Sequence, residues 1–452
     1  MNFKKDFVWG VSTSAYQIEG AFNEDGRGKS IWDAYCEIPG NIFSEQNGKI
    51  ACDHYHRYKE DVALMKKMGI KAYRFSISWP RILPKGTGEI NEAGVQFYNN
   101  LINELIKNEI EPYVTLYHWD LPLELHYKGG WLNREIADWF YEYAKVVAEK
   151  FSDRVKHFIT INEPQSIIPG GYVVGDKAPG LKLSRDEVVK ASHNLLLAHG
   201  KAVMALRKYG APDIKVGYAP TGSGMYPENP ESKADIEAAK KCFFDVTDDL
   251  YWSWSVAWFY DPVILGKYPE KALKFLGEYL PETWQKDLKI ISQPLDFLGI
   301  NIYNGKEVRA KDDEYEIVER YNGFPKTAFD WPITPEVMRW SIKFLYERYK
   351  LPIYITENGL SCCDVISLDG NVHDSNRIDF TTRYLRELKK ATEEGADVCG
   401  YFHWSFMDNF EWTAGYRERF GLVYVDFRNQ QRIIKDSGYW YKTVIESNGD
   451  NL

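Results

Sequence analysis

The sequence predicts a (β/α)8 barrel, a closed sheet of eight parallel strands with a helix after each strand. Eight short apolar runs, rich in β-branched and aromatic residues, recur along the 452 residues with helical patterns between them. This alternation is typical of βαβ units. Two of the runs end in a glutamate, which suits a barrel because its parallel strands deliver their ends to one mouth. With no repeats or low-complexity linkers, the chain is expected to form a single domain over residues 1–452.

The elements follow one another in the order that such a barrel requires. Small residues in the second half of the first run would let a ligand approach the backbone. Arg74 lies inside the second run and needs a carboxylate partner if it is buried. Asn91 precedes an amphipathic helix, and a second such helix precedes the fourth run. The predicted strands occupy residues 7–20, 71–80, 111–120, 157–164, 214–220, 296–303, 351–359 and 398–408.

The two strand-terminal glutamates give the first indication of chemistry. Glu163 ends the fourth strand within Thr160-Ile161-Asn162-Glu163-Pro164, and Glu357 ends the seventh within Ile355-Thr356-Glu357-Asn358-Gly359. A carboxylate there is costly to bury without a partner. A single one would indicate a cap or a salt bridge. Two at one barrel mouth match the paired carboxylates that cleave glycosidic bonds.

These two motifs resemble the acid/base and nucleophile motifs of family 1 glycoside hydrolases, the β-glucosidase family. At least six motifs match in family order over nearly the whole chain. The resemblance implies a retaining double displacement. Glu357 would attack the anomeric carbon while Glu163 protonates the leaving oxygen, and Glu163 would then deprotonate the water that releases the sugar. It also implies that no cofactor takes part.

The resemblance assigns roles to the other candidate residues. Arg74 and Tyr303 would lie against Glu357 and stabilise it as an anion, with Asn301 in the same Asn-x-Tyr pattern. Asn162 would bind the sugar 2-hydroxyl. Taken alone, several of these residues would be satisfied core groups. The predicted sugar-binding residues are Gln17, His118, Trp119, Asn162, Trp404, Glu411 and Trp412, with Trp331 and Phe420 lining the entrance.

The last loop distinguishes between substrate classes. Glu411 and Trp412 match relatives that hold the hydroxyls of an unmodified sugar, whereas phospho-glycosidases carry a small hydroxyl residue in place of that Glu. An anionic Glu411 would repel a phosphate. Alternatively, Glu411 could form a loop salt bridge with Arg417 or Arg419. The expected substrates are β-glucosides, cellobiose and short cello-oligosaccharides, with some activity on β-galactosides and β-fucosides.

Three alternatives stay open at this point. A 6-phospho-β-glucosidase is disfavoured by Glu411. A non-catalytic sugar-binding relative would be expected to lose one of the two catalytic glutamates, and a thioglycosidase can dispense with the acid, yet Glu163 and Glu357 are both present. Departures from the family pattern, such as Gln165 after Asn-Glu-Pro and the loop 219–222, affect the expected aglycone preference.

Composition excludes other classes of protein. A formal net charge of −9 argues against nucleic-acid binding, which needs a basic face. No apolar run is long enough to span a bilayer, and residues 1–10 lack a signal-peptide pattern, so a cytoplasmic protein is expected. Six scattered cysteines indicate reduced thiols. His54 and His56 lie two apart on a helix and are poor joint metal ligands, so no metal site is predicted. The composition allows a monomer or a homo-oligomer.

Overall fold

A computed structural model describes residues 3–452 of the chain. Eight parallel strands, β1 to β8 in chain order, close into a barrel in which each strand pairs with its neighbours in sequence and β8 pairs with β1. The predicted barrel is therefore confirmed. The strands are Val8–Ser12, Ala72–Ser76, Glu111–Tyr117, His157–Asn162, Lys215–Ala219, Phe297–Asn301, Ile353–Asn358 and Val398–Trp404.

Each strand is followed by at least one helix on the outside of the barrel, since parallel strands need a crossover connection. Four helices follow β5. The larger helices are His54–Lys67, Glu92–Lys107, Ile136–Phe151, Arg185–Tyr209, Lys233–Phe244, Val256–Ile264, Glu270–Leu276, Trp284–Ile291, Val337–Tyr349, Ser375–Glu393 and Asp436–Glu446. Two small sheets decorate the barrel, one of Gly224–Pro227, Gly305–Lys311 and Glu314–Ile317, the other of Val423–Asp426 and Gln431–Ile434.

Shorter helical turns lie mainly in the loops at the carboxyl ends of the strands. The α-helical turns are Ala15–Ile18, Ile31–Tyr35, Trp79–Ile82, Leu123–Tyr127 and Pro164–Ile168. The 3-10 turns are Phe43–Glu45, Gly130–Leu132, Leu250–Trp254, Gly277–Tyr279 and Trp412–Ala414, and Pro169–Val174 is a π-helical turn.

The first predicted strand is longer than the observed one. The strand ends at Ser12, and Gln17 lies in the short helix Ala15–Ile18. The Ala15 N–H donates to the side-chain hydroxyl of Ser76 (2.8 Å) rather than to a backbone carbonyl of the neighbouring strand, which is consistent with the chain leaving the sheet at this point. The small residues that looked like strand are therefore the beginning of a loop over the barrel mouth.

The helix Glu92–Lys107 confirms the predicted apolar face, since Val95, Tyr98 and Leu101 are all buried. Asn91 occupies the N-cap position without making the expected capping bond. Its side-chain amide instead donates to the carbonyls of Asp25 and Arg81 (2.8 and 3.0 Å). The residue thus ties two loops together in place of satisfying the helix N-terminus.

Aromatic side chains fill the barrel interior below the mouth. The rings of Tyr113 and Phe402 lie 4.9 Å apart, and those of Phe297 and Tyr354 lie 5.2 Å apart. Gly10 makes room for this packing, because a Cβ there would stand 2.5 Å from the Phe402 ring. Along a strand, the side chain two residues after such an interior aromatic residue points to the same face of the sheet. It therefore also points into the barrel, but nearer its mouth.

Candidate active site

A cavity of about 400 Å³ opens at the carboxyl ends of the strands. This is where ligands bind in barrels of this class. Both predicted catalytic glutamates line it, together with residues from six of the strand ends and the loops after them. The lining includes His118, Trp119, Glu163, Ser166, Thr221, Tyr303, Glu357, Trp404, Glu411 and Trp412.

Glu357 lies near the end of β7 and is buried. Its Oε1 accepts from Arg74 Nη1 (2.6 Å), and its Oε2 accepts from the Tyr303 hydroxyl (2.8 Å). Both predicted neighbours are therefore in place. The pKa of Glu357 is raised to about 7; burial is the largest cause and the nearby carboxyl group of Glu163 adds to the rise, while Arg74 and Tyr303 lower the pKa.

Glu163 follows β4 with a left-handed backbone (φ 48°) and precedes the short helix Pro164–Ile168. Its Oε1 accepts from Asn301 Nδ2 (2.7 Å), and its Oε2 accepts from the Ser166 hydroxyl (2.6 Å). Burial raises the pKa of Glu163, and the two hydrogen bonds oppose that rise. Only Glu357 has a cation on its carboxylate, so we assign the negative charge of the pair to Glu357 and the proton to Glu163.

A hydrogen-bonded network behind the cavity connects the two carboxyl groups. Asn162 Oδ1 accepts from Arg74 and from Asn301 Nδ2 (2.9 Å for the latter). The Asn162 amide donates to His118 Nε2 (3.2 Å), and burial together with Arg74 holds the pKa of His118 well below its usual value, so this imidazole is neutral. The network fixes the orientation of the side chains that face the cavity.

The last loop brings Glu411 to the cavity, as predicted. Burial and the charge of Glu357 raise the pKa of Glu411 to about 8. This shift favours the protonated form, so the anionic Glu411 of the sequence analysis stays a prediction. The alternative of a loop salt bridge is wrong, because Arg417 pairs with Glu418 (2.9 Å) and Arg419 pairs with Asp408 (2.6 Å).

Gln17 lies directly behind Glu411. Its amide nitrogen donates to the Phe410 carbonyl (2.9 Å) and to Asn409 Oδ1 (3.1 Å), and it stands 3.4 Å from Glu411 Oε2. The Ser14 hydroxyl donates to its Oε1 (2.6 Å). Gln17 therefore connects the first loop to the last loop.

The predicted aromatic residues surround the cavity. The Trp119 ring lies 4.6 Å from that of Trp412, and the His118 ring is stacked 5.9 Å from that of Trp404. Trp119 and Trp412 share with Glu163 a left-handed backbone (φ 79° and 48°), a conformation that costs energy and clusters at functional sites.

At the entrance, the Trp331 ring lies 5.2 Å from Tyr303 and 6.0 Å from Phe420. All the predicted site residues are thus either in the cavity wall or bonded to residues that are.

Sequence reasoning missed several lining residues. Ser166 contacts Glu163, which lies three residues earlier. Pro164 suggests that a helix starts here, and in a helix residues three apart are neighbours, so this contact could have been predicted. Lys177, Phe329 and Trp254 come from loops whose course over the mouth has no periodic signal. Gln165, by contrast, is buried and does not line the cavity; its Oε1 accepts from the N–H of Thr221, which does (3.2 Å).

Residues 3–452 hold no cluster of three or more metal-ligating side chains. His54 pairs with Asp61 (2.8 Å), whereas His56 contacts Asp53 (2.6 Å) and Glu24 (3.1 Å). The two histidines thus contact different partners. Within the same residues, no helix is both long and apolar enough to cross a membrane.

Comparison with known proteins identifies the family. The family model described as Glycosyl hydrolase family 1 matches residues 1–450. The chain is 47% identical to Beta-glucosidase A of Thermotoga maritima and 46% identical to 1,4-beta-D-glucan glucohydrolase of Thermotoga neapolitana, with 99% of both chains covered in each case. A solved structure, the Thermotoga maritima beta-glucosidase in complex with glucoimidazole, superposes with a TM-score of 0.90 at 46% identity and 99% coverage of both chains. The resemblance noted in the sequence is thereby confirmed, and the chain belongs to glycosyl hydrolase family 1.

Proposed function

We propose that this chain is a retaining β-glucosidase that removes terminal β-D-glucosyl residues from cellobiose, short cello-oligosaccharides and aryl or alkyl β-glucosides. The observation that carries the proposal is the different environment of two buried carboxyl groups in one cavity. Glu357 accepts from a guanidinium and a phenol, whereas Glu163 accepts only from neutral donors. Two carboxyl groups with separated roles are what double displacement needs.

In the first step Glu357 attacks the anomeric carbon and Glu163 gives its proton to the glycosidic oxygen. The covalent bond removes the charge of Glu357, which is one cause of the raised pKa of Glu163 in such a pair. Glu163 is then ionised and can take a proton from the incoming water. Asn301 and Ser166 already donate to its two oxygens, which supports the anionic form in this second step.

The last loop supports a neutral glucosyl unit over a 6-phosphoglucosyl unit. A buried phosphate needs positively charged partners, but both arginines of the loop are paired with carboxylates, and Lys177, the one cation among the lining residues, stands 4.0 Å from Asp176. Three carboxyl groups, Glu163, Glu357 and Glu411, already line the cavity. Glu411 can bind sugar hydroxyls in either protonation state. The ionised carboxylate accepts hydrogen bonds, and the protonated carboxyl group donates one and still accepts.

The test compares p-nitrophenyl β-glucoside and cellobiose with p-nitrophenyl β-glucoside 6-phosphate at equal concentration. We expect kcat/KM to favour the neutral aryl glucoside over its phosphate by about 100-fold or more, because the phosphate would be desolvated beside three carboxyl groups, with Lys177 as the one cation among the lining residues. Preference for the phosphate would overturn this assignment of the loop but not of the two glutamates. Turnover of none of the three would favour a non-catalytic sugar-binding protein.

Ser166 allows a separate prediction about pH dependence. Its hydroxyl lowers the pKa of Glu163. Glu163 must be protonated for the first step, so activity is lost as the pH rises through its pKa. Ser166→Ala raises that pKa, and we expect the basic limb of the kcat/KM profile for cellobiose to move to higher pH. Ser166→Thr keeps the hydroxyl and serves as the matched control. A basic limb that stays in place, or moves to lower pH, would contradict the role of this bond.

A further inference from the structure

One aromatic side chain in the cavity wall has no aromatic neighbour. Every other ring that lines the cavity packs against another ring, as Trp331 does against Phe329 (4.8 Å) and Trp119 against Trp412 (4.6 Å). Trp254 lines the same cavity, is 40% exposed, and contacts no ring of residues 3–452. A large apolar face left open to water inside a binding cavity indicates a surface that a ligand covers.

The segment that carries Trp254 is held in place by its neighbours. Trp254 ends the 3-10 turn Leu250–Trp254, which begins with Asp249 accepting from the Tyr251 N–H (2.7 Å). Trp252 in the same turn is buried edge-on against Trp258 (5.3 Å). Ser255, the next residue, caps the helix Val256–Ile264 by accepting from the Trp258 N–H (3.4 Å). Anchors on both sides therefore hold the backbone at Trp254, whose indole lines the cavity.

This turn lies on the Glu163 side of the cavity. It contacts the two helical segments that follow Glu163 in the chain, Pro164–Ile168 and Pro169–Val174. In the proposed reaction, Glu163 gives its proton to the oxygen of the leaving group, so the leaving group must occupy this side. Trp254 thus stands beside the position of the group that departs, whereas Gln17 and Glu411, which contact each other, belong to the first and last loops.

We propose that Trp254 is the stacking platform for a ring-shaped leaving group, a glucosyl unit or an aryl ring, on the leaving-group side of the cavity. The inference rests on the proposed function. Both kinds of ring present a flat face with C–H or π character that packs well on indole. The indole Nε1 donates to none of the residues from 3 to 452, so it is free to bond to a hydroxyl of a glucosyl leaving group.

The experiment uses substrates that share the glucosyl unit and differ in the leaving group. Cellobiose and p-nitrophenyl β-glucoside carry ring-shaped leaving groups, whereas in β-glucosyl fluoride the leaving group is one atom and cannot reach Trp254. We expect Trp254→Ala to lower kcat/KM about 10-fold or more for cellobiose and for the aryl glucoside, the effect of losing one stacked ring. Activity on the fluoride should stay within roughly two-fold, because the catalytic groups are untouched.

Two further variants separate the parts of the inference. Trp254→Phe keeps a ring but loses the N–H, so we expect it to restore the aryl glucoside more fully than cellobiose. Tyr251→Ala is the matched control, since Tyr251 belongs to the same turn, is 73% exposed and lies outside the cavity lining. It should leave all three substrates unchanged.

If Trp254→Ala lowered kcat/KM equally for the fluoride and for the substrates with ring-shaped leaving groups, the inference would be overturned. Such a result would indicate that the substitution disturbs Glu163 and does not remove a stacking platform. No loss on any substrate would overturn it as well. Failure of the wild-type protein on all three substrates would instead refute the proposed function. In that case, cellobiose and glucose titrations of the wild type and Trp254→Ala still test the platform, which requires weaker binding of cellobiose only.

Discussion

Replacing Glu357 by alanine is expected to abolish turnover of cellobiose and p-nitrophenyl β-glucoside, with a loss in kcat on the order of 10⁵-fold or more. No other carboxylate on the cavity wall shares the guanidinium of Arg74 and the phenol of Tyr303, so none of the described residues can take over the attack on the anomeric carbon. The loss should be similar for good and poor leaving groups, since the bond to the sugar fails to form in both cases. Steady-state kinetics on freshly purified protein measures it.

A small anion supplies the direct test of the attacking face. In Glu357→Ala, added azide can enter the space left by the side chain and form a bond to the anomeric carbon, while the aglycone leaves with the proton of Glu163. The expected product is the α-glucosyl azide, because azide attacks from the face that Glu357 occupied. Formation of the β-azide, or unchanged hydrolysis without azide, would contradict the assignment of Glu357.

Glu357→Gln is the matched variant for folding. Its amide oxygen can still accept from Arg74 or Tyr303, whereas alanine offers no acceptor at all; both variants remove the negative charge that pairs with the buried guanidinium of Arg74. Breaking a buried pair in this way costs about 3 kcal/mol or more. We expect Glu357→Gln to be as inactive as the alanine variant but closer to the wild type in Tm. If the two variants lose activity equally but differ in Tm, the loss of activity is due to the missing nucleophile and not to a loss of stability.

The eight strands could be predicted because each lies in a largely apolar run, the pattern of parallel strands covered on both faces. The residues at which strands and helices end were harder to predict from the sequence. Residues 13–20 have the small side chains that either a strand or a loop accepts, and only the contact of Ala15 with Ser76 shows that the chain leaves the sheet there. Asn91 has the right residue type for a cap, but two distant carbonyls compete for its amide.

The residues of the site likewise include some that the sequence predicts and others that it does not. Glu163, Glu357 and Arg74 were predictable because a charged side chain in an apolar strand stands out and must have a partner. The charge state of Glu411 was not, since it depends on burial by loops and on the field of Glu357. Ser166 and Trp254 lie in irregular segments, where no period tells which side chains turn toward the cavity.

Replacing Glu163 by alanine is expected to affect substrates according to their leaving groups. For cellobiose, whose leaving alkoxide needs a proton, kcat/KM should fall about 10²-fold to 10⁴-fold, the usual contribution of general acid catalysis. For 2,4-dinitrophenyl β-glucoside, which needs little protonation, kcat/KM should change by less than about 10-fold. Equal losses on both substrates would refute the acid/base assignment.

The same variant should also lose the second step and change the pH profile. Without a base to activate water, the glucosyl–Glu357 bond persists, so the activated substrate gives a burst of phenolate followed by a slow steady state. Azide, which needs no base, should speed that steady state and yield the β-glucosyl azide, of opposite configuration to the product expected with Glu357→Ala.

In the kcat/KM profile for the activated substrate, the basic limb due to Glu163 should vanish. The acidic limb reports the ionisation of Glu357, whose pKa is raised to about 7 mainly by burial. Because Glu163 holds its proton while Glu357 ionises, its replacement by alanine removes no charge at that stage, and the acidic limb should stay within about one pH unit of the wild type. A larger shift would contradict the assignment of the proton to Glu163.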